Sequence, residues 1–148
     1  MCKISKSILL LCIFLLFALT LIGCNENSND RNSSIEQFTN ELKDKNYKFE
    51  VKEVDKDFLS GNRKRIVFGN EAIDVYLYKN DSEMEKDARR IDSHGSSYTN
   101  GSKVIMVSWI SFPHFYKKDN IIVQYVGEND NIISDLKDIF GEQFAGYK

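Results

Sequence analysis

The chain has 148 residues, with 20 Lys and Arg against 22 Asp and Glu, a formal charge of −2, and 42% hydrophobic residues. This balance excludes the broad basic face that a nucleic-acid binder needs, and the length allows one domain of ordinary size. The first element is strongly apolar. Lys3 and Lys6 precede an uninterrupted stretch from Ile8 to Leu19, which Thr20 relieves only slightly before Leu21 and Ile22. At roughly 15 residues, the stretch matches a signal-peptide apolar region and falls short of the roughly 20 that span hydrocarbon.

The stretch closes on Leu21-Ile22-Gly23-Cys24, which resembles the lipobox of bacterial lipoprotein precursors. The resemblance implies a diacylglyceryl group on the Cys24 thiol and cleavage between Gly23 and Cys24. It also implies attachment by lipid to the extracytoplasmic face of the cell membrane. Two acyl chains, at about 0.8 kcal/mol per buried CH₂, are a sufficient anchor. An uncleaved membrane helix is the other reading of the segment, and its length argues against it. Cleavage would remove Cys2 and Cys12, leaving Cys24 as the single cysteine with its sulfur occupied. No disulfide, thiol nucleophile or cysteine-bound metal is then expected. Losing Lys3 and Lys6 would take the formal charge of −2 down by two, to about −4.

Three segments follow from this reading: a signal peptide over 1–23, a lipidated cysteine with a disordered spacer over 24–32, and one folded domain over 33–148. Asn25 to Asn32 carries no apolar residue and reads as the spacer, on the order of 25 Å when extended.

Within the domain, Ser33 or Ser34 followed by Glu36 or Gln37 is a capping-box signature, and Ile35, Phe38 and Leu42 share one helical face. Asn46 is placed to end that helix in a left-handed conformation. Tyr47, Phe49 and Val51 alternate with Lys48, Glu50 and Lys52, predicting a half-buried strand. Phe58 and Leu59 fit a short packed turn before Gly61-Asn62. Ile66 and Phe68 open a second strand, Gly69-Asn70 reads as a two-residue hairpin turn, and Ile73, Val75 and Leu77 alternate on the return. A second helix is read from Ser82 and Glu85, with Met84, Ala88 and Ile91 inward and Gly95 at its end. Ser96 to Ser102 reads as a loop. Val104 to Trp109 is almost continuously apolar, as a covered strand would be, with Ile121 to Val126 as its partner. Asp130 or Asn131 caps a last helix, with Ile132, Ile133, Leu136, Ile139 and Phe140 inward and Gly141 at its end. The predicted fold is α+β: a mainly antiparallel sheet with helices packed on one face, in the order α-β-β-β-α-β-β-α.

Four places draw attention as possible chemistry. Asp92-Ser93-His94 sets a carboxylate, a hydroxyl and an imidazole in adjacent positions, which is not how triad members meet, and no nucleophile elbow accompanies them. It reads as a polar helix terminus. His94 and His114 are the only histidines and neither has helical metal-ligand spacing, so no metal or cofactor is expected. The stretch Trp109-Ile110-Ser111-Phe112-Pro113-His114-Phe115-Tyr116 gathers aromatic weight and the single proline, which reads as a strand stop. Displayed on a loop, Trp109, Phe112, His114, Phe115 and Tyr116 would be contact groups for a partner; folded back, the rings would cover the sheet end. Arg63-Lys64-Arg65 reads as a solvated turn or as a weak attraction for an anionic envelope surface.

Met106 to Gly146, with Val-Ser-Trp, Pro-His-Phe-Tyr-Lys-Lys, Tyr-Val-Gly and Gly-Glu-Gln-Phe-Ala-Gly, also resembles the C-terminal part of small uncharacterised lipoproteins of Gram-positive bacteria. That resemblance implies location and no activity. The expected function is a lipid-anchored binding or interaction module, with the membrane as one partner and a protein or envelope component as another. A surface hydrolase using His94 or His114, or a structural or immunity-type lipoprotein, is the alternative.

Overall fold

A computed structural model describes residues 28–147; the signal segment, the lipobox and Cys24 lie outside them. The elements are α1 (Ser28–Asp44), β1 (Glu50–Glu53), β2 (Asn62–Phe68), β3 (Glu71–Leu77), α2 (Asp81–Ala88), β4 (Ser97–Asn100), β5 (Lys103–Met106), β6 (Pro113–Lys118), β7 (Ile121–Val126), α3 (Asp130–Phe140) and β8 (Ala145–Gly146). A six-stranded sheet runs β1-β2-β3-β7-β6-β8, every pairing in it is antiparallel, and β4 and β5 form a separate two-stranded ribbon. The fold is α+β in the predicted order, with the β4–β5 ribbon inserted before the last strand pair and β8 added after α3.

Alternation along the strands divides the core in two. Ile66, Ile73, Val75, Leu77, Tyr116, Ile121, Val123 and Tyr125 point to one face, where Ile35, Phe38 and Leu42 of α1 and Ile132 and Leu136 of α3 cover them. Tyr76, Ile122, Phe115 and Ala145 point to the other face, covered by Met84 and Ala88 of α2 with Leu59, Ile91 and Tyr98. The expectation of helices on a single face therefore holds for α1 and α3 only. α2 lies opposite: just past β3 the Tyr78 N–H still donates to the Asn120 carbonyl at 2.9 Å, and the Tyr78 side chain joins that of Tyr76 in the second cluster.

Local chemistry explains most element ends. Asn46 leaves α1 at φ +67, and the Tyr47 N–H reaches back to the Leu42 carbonyl at 3.0 Å. The spacer expected over Asn25 to Asn32 is helical from Ser28 onward. Once Ile35, Phe38 and Leu42 anchor the turns that follow, each added residue costs little compared with starting a helix. Gly69, at φ +59, turns β2 into β3 with Phe68 opposite Glu71. The N-cap of α2 is Asn80, two residues earlier than the Ser82 reading, and its side chain accepts the Glu83 N–H at 2.9 Å. It ends at Ala88 and not at Gly95, because Ile91 bridges to Tyr98 and the Asp92 N–H is given to the Ser97 carbonyl. α3 begins after Asn129 and its cap at Gly141 has φ +83.

The second half corrects the reading of Val104 to Trp109. The partner of β7 is β6, with His114 opposite Tyr125 and Tyr116 opposite Val123. Pro113 is the first residue of that strand, a place where a missing N–H breaks no ladder. Asp119-Asn120 forms the tight turn, Asp119 at φ +52. Val104 belongs instead to β5, all four of whose residues are exposed, and its partner is the polar stretch expected to be a loop. No helix among the described residues is long and apolar enough to cross a membrane.

Leu136 is fully buried between α3 and the sheet, whereas Ile110 is 100% exposed. Leu136→Ala is expected to cost about 2–5 kcal/mol and Ile110→Ala no more than about 0.5 kcal/mol in urea denaturation. Equal effects would show that the face covered by α3 is not core.

Candidate functional site

Antiparallel register sets one polar row across the second face: Arg65 on β2 stands beside Asp74 on β3, Asp74 beside Gln124 on β7, and Gln124 beside Phe115 on β6. The next row is Arg63, Tyr76, Ile122 and Lys117. Arg65 grips Asp74 with two donors, Nε at 2.7 Å and Nη2 at 2.8 Å, and Arg63 Nη2 adds a third at 2.6 Å. Arg63 also lies 3.2 Å from Asp57. Burial works against the Arg63 charge, yet the Asp74 hydrogen bond and the surrounding carboxylates hold its pKa above the usual value.

Behind this row the Tyr76 hydroxyl sits 2.8 Å from an Asp57 oxygen and 2.9 Å from Gln124 Oε1. Burial first, and the Asp57 charge second, raise the Tyr76 pKa far above its ordinary value, so the hydroxyl keeps its proton. The row opens into a cleft of about 340 Å³ whose lining includes Arg63, Arg65, Asp74, Gln124, Trp109 and Ile110. Trp109 is fixed by its indole N–H, which donates to the Gly95 carbonyl at 2.7 Å, and by edge contacts with Phe58 and Phe115. Gly95, at φ +70, is required there, since a Cβ would meet the Phe115 ring at 2.7 Å.

A second polar centre lies under the same face. The Asp87 carboxylate accepts from the Ser60 N–H and hydroxyl at 2.7 Å each, from Tyr78 at 3.0 Å, from Tyr98 at 2.8 Å and from Arg90 at 3.1 Å. Burial alone would raise its pKa; the Ser60, Tyr98 and Tyr78 hydrogen bonds outweigh that and hold it below the usual carboxylate range. Every one of these donors is internal, which makes Asp87 a structural tie.

The residues proposed as contact groups separate. Trp109 walls the cleft. Phe112 is 38% exposed and stacks on Tyr147 at 3.8 Å. His114, Phe115 and Tyr116 are buried in β6, so this part of the aromatic stretch is a strand with its rings inward and not a displayed loop, while Trp109 to Phe112 precede the strand. His94 is exposed, with Ser93 Oγ at 3.2 Å and Asp92 at 3.8 Å. Asp92 is spent on the backbone N–H groups of Ser97 and His94, so this is a turn and not a catalytic set. His114 has both ring nitrogens engaged, by Gln143 at 2.8 Å and the Gly127 carbonyl at 3.2 Å, and so neither is placed to act as a base. Arg63 and Arg65 are committed to Asp74, and Lys64, on the opposite face, pairs with Glu53 at 2.9 Å; the basic triplet is neither a turn nor a free basic patch. No group of three or more metal-binding side chains occurs among the described residues. Sequence reasoning missed Gln124, Asp74 and Asp87. A signal did exist for Asp87, an acid one residue before Ala88 on an apolar helical stripe.

The chain matches no family model, no curated protein and no solved structure.

Asp87 is the group to titrate. With its folded pKa held down, it contributes stability above the unfolded carboxylate pKa of about 3.9, and that stability is lost as pH falls through the folded value. Asp87→Asn is expected to cost about 1–3 kcal/mol at neutral pH, with the gap to wild type narrowing in acid. Denaturation across a pH series measures this; a gap unchanged in acid would show that the ionised form plays no part.

Proposed function

We propose that this chain is a lipid-anchored extracytoplasmic protein whose folded domain acts as a binding or interaction module at the bacterial cell surface. Support for the anchor comes from Lys3 and Lys6, the short apolar stretch and Leu21-Ile22-Gly23-Cys24. The observation that carries the binding role is the β5 strand. Val104, Ile105 and Met106 are 58%, 43% and 73% exposed, and Ile110 beyond them is fully so. Among the described residues β5 pairs with β4 alone, which leaves its other edge without a ladder. An apolar, unpaired edge favours addition of an extended segment from a protein partner, with backbone hydrogen bonds supplying affinity and alternate side chains specificity. The contact surface proposed here is thus β5 and Ile110, in place of the buried rings of β6.

Two measurements test the two halves. Metabolic labelling with radioactive palmitate is expected to mark the wild-type protein and not Cys24→Ala; an unlabelled wild type, or label persisting in the variant, overturns the anchor. A photo-crosslinking residue at Met106 is expected to give a discrete protein adduct on intact cells. That adduct should disappear in Val104→Lys combined with Ile110→Lys, while the melting temperature stays where it was. No adduct from Met106 would sink the β5 surface.

A further inference from the structure

We infer that the cleft between the β2–β3–β7 face and Trp109 binds a small uncharged ligand through an amide group. The inference rests on the binding-module reading, but on a different part of the molecule from β5. Two buried side-chain polar atoms lack a hydrogen-bond partner among the described residues, Arg63 Nε and Gln124 Nε2, and both residues line this cleft. Gln124 is 3% exposed. The single Tyr76 proton serves one oxygen, and the charged Asp57 is the stronger acceptor. Whichever way the Gln124 amide is turned, only one of its two ends meets Tyr76, and the other is left without a partner. Leaving such a group buried and unpaired costs about 1–3 kcal/mol, so a ligand that pairs with it gains more than it would at an exposed amide.

Charge selects the ligand class. Arg63 and Arg65 stand against Asp74 and Asp57, two positive against two negative. Both Asp74 oxygens are taken by the arginines, and Glu71 accepts the Tyr125 hydroxyl at 3.0 Å. The cleft therefore has no net charge to attract an ion. It has one unsatisfied donor, Arg63 Nε, and one unsatisfied amide end at Gln124, beside the apolar surfaces of Trp109, Ile110, Ala72 and Val126. An amide supplies an acceptor oxygen and a donor N–H together, and so complements Gln124 in either orientation. The volume suits one peptide unit or one acetamido sugar and little more.

The test uses the full-length chain in detergent micelles and two probes, N-acetylalanine methylamide and N-acetylglucosamine, with glucose as the amide-free control. Two-dimensional NMR is expected to show saturable shifts of the Trp109 indole N–H and the Gln124 side-chain amide with at least one amide probe, and none with glucose. A response to one probe alone assigns the amide to a peptide or a sugar source. Gln124→Met removes the amide while leaving Tyr76 its Asp57 partner, and should weaken binding at least about tenfold. Ser108→Trp, at an exposed rim position, should block the cleft mouth without touching the core, which keeps the test valid if Gln124→Met does not fold. No saturable shift with either amide, an equal response to glucose, or wild-type binding by both variants would overturn the inference. The single Val104→Lys variant, which lies outside the cleft lining, separates the two proposals. It should weaken the β5 adduct while the Gln124 side-chain amide still shifts with the amide probe.

Discussion

The carboxylate of Asp87 is the constraint on which the second face of the domain depends. It is 1% exposed and gathers donors from four separate segments: Ser60 before β2, Tyr78 after β3, Arg90 after α2 and Tyr98 on β4. None of these segments is held by a long hydrogen-bonded ladder to its neighbours. A buried ion left unpaired would be costly, so each donor has a strong reason to stay where it is. Remove the carboxylate and two tyrosine hydroxyls and a serine lose their common acceptor together. The β4–β5 ribbon is held to the body of the protein by Tyr98, by the Ile91 bridge and by Trp109 on Gly95. An exposed apolar ribbon can keep a fixed position only because such polar ties sit beneath it.

The two faces of the sheet use different physics. The face under α1 and α3 is an ordinary aliphatic and aromatic core, with Leu42, Ile66, Val75, Val123 and Leu136 essentially inaccessible. The other carries buried carboxylates, tyrosine hydroxyls and arginines interleaved with Met84, Ile122 and Phe115. Polar groups on that side are matched one against another, Asp74 by two guanidiniums and Asp57 by Tyr76 and Arg63. Matching of this kind fixes geometry more than it adds stability. The places where it is incomplete, at Gln124 and Arg63, are the places with room beside them.

What was legible in the sequence was what local chemistry determines. The β2–β3 hairpin followed from Gly69-Asn70 between alternating runs, α1 and α3 from their apolar stripes, and the α1 exit from Asn46. What was illegible depended on long-range pairing. Val104 to Trp109 carries the apolar pattern of a covered strand, but the central place in the sheet is occupied by β7, which pairs with β3 and β6. Pro113 read as a stop because only the finished sheet shows that its position opens a strand. Asp119-Asn120 was an available hairpin signal, obscured by the neighbouring lysines and aromatics. In the cleft, Trp109 was visible from its type alone. Asp74 and Gln124 were not, since an acid or an amide in an alternating strand looks like the wet face until the other layer is known to cover it.

β3 and β7 form the middle pair of the sheet, yet α2 and the β4–β5 ribbon lie between them along the chain. The ribbons β2–β3 and β6–β7 each close on a two-residue turn, so each can form by itself in microseconds. Joining them means closing a loop that contains nearly everything on the second face. Folding speed should therefore be governed by one encounter between two preformed ribbons, with the Asp87 network assembled afterwards. Until that encounter is complete, the apolar strand edges stay open to other chains.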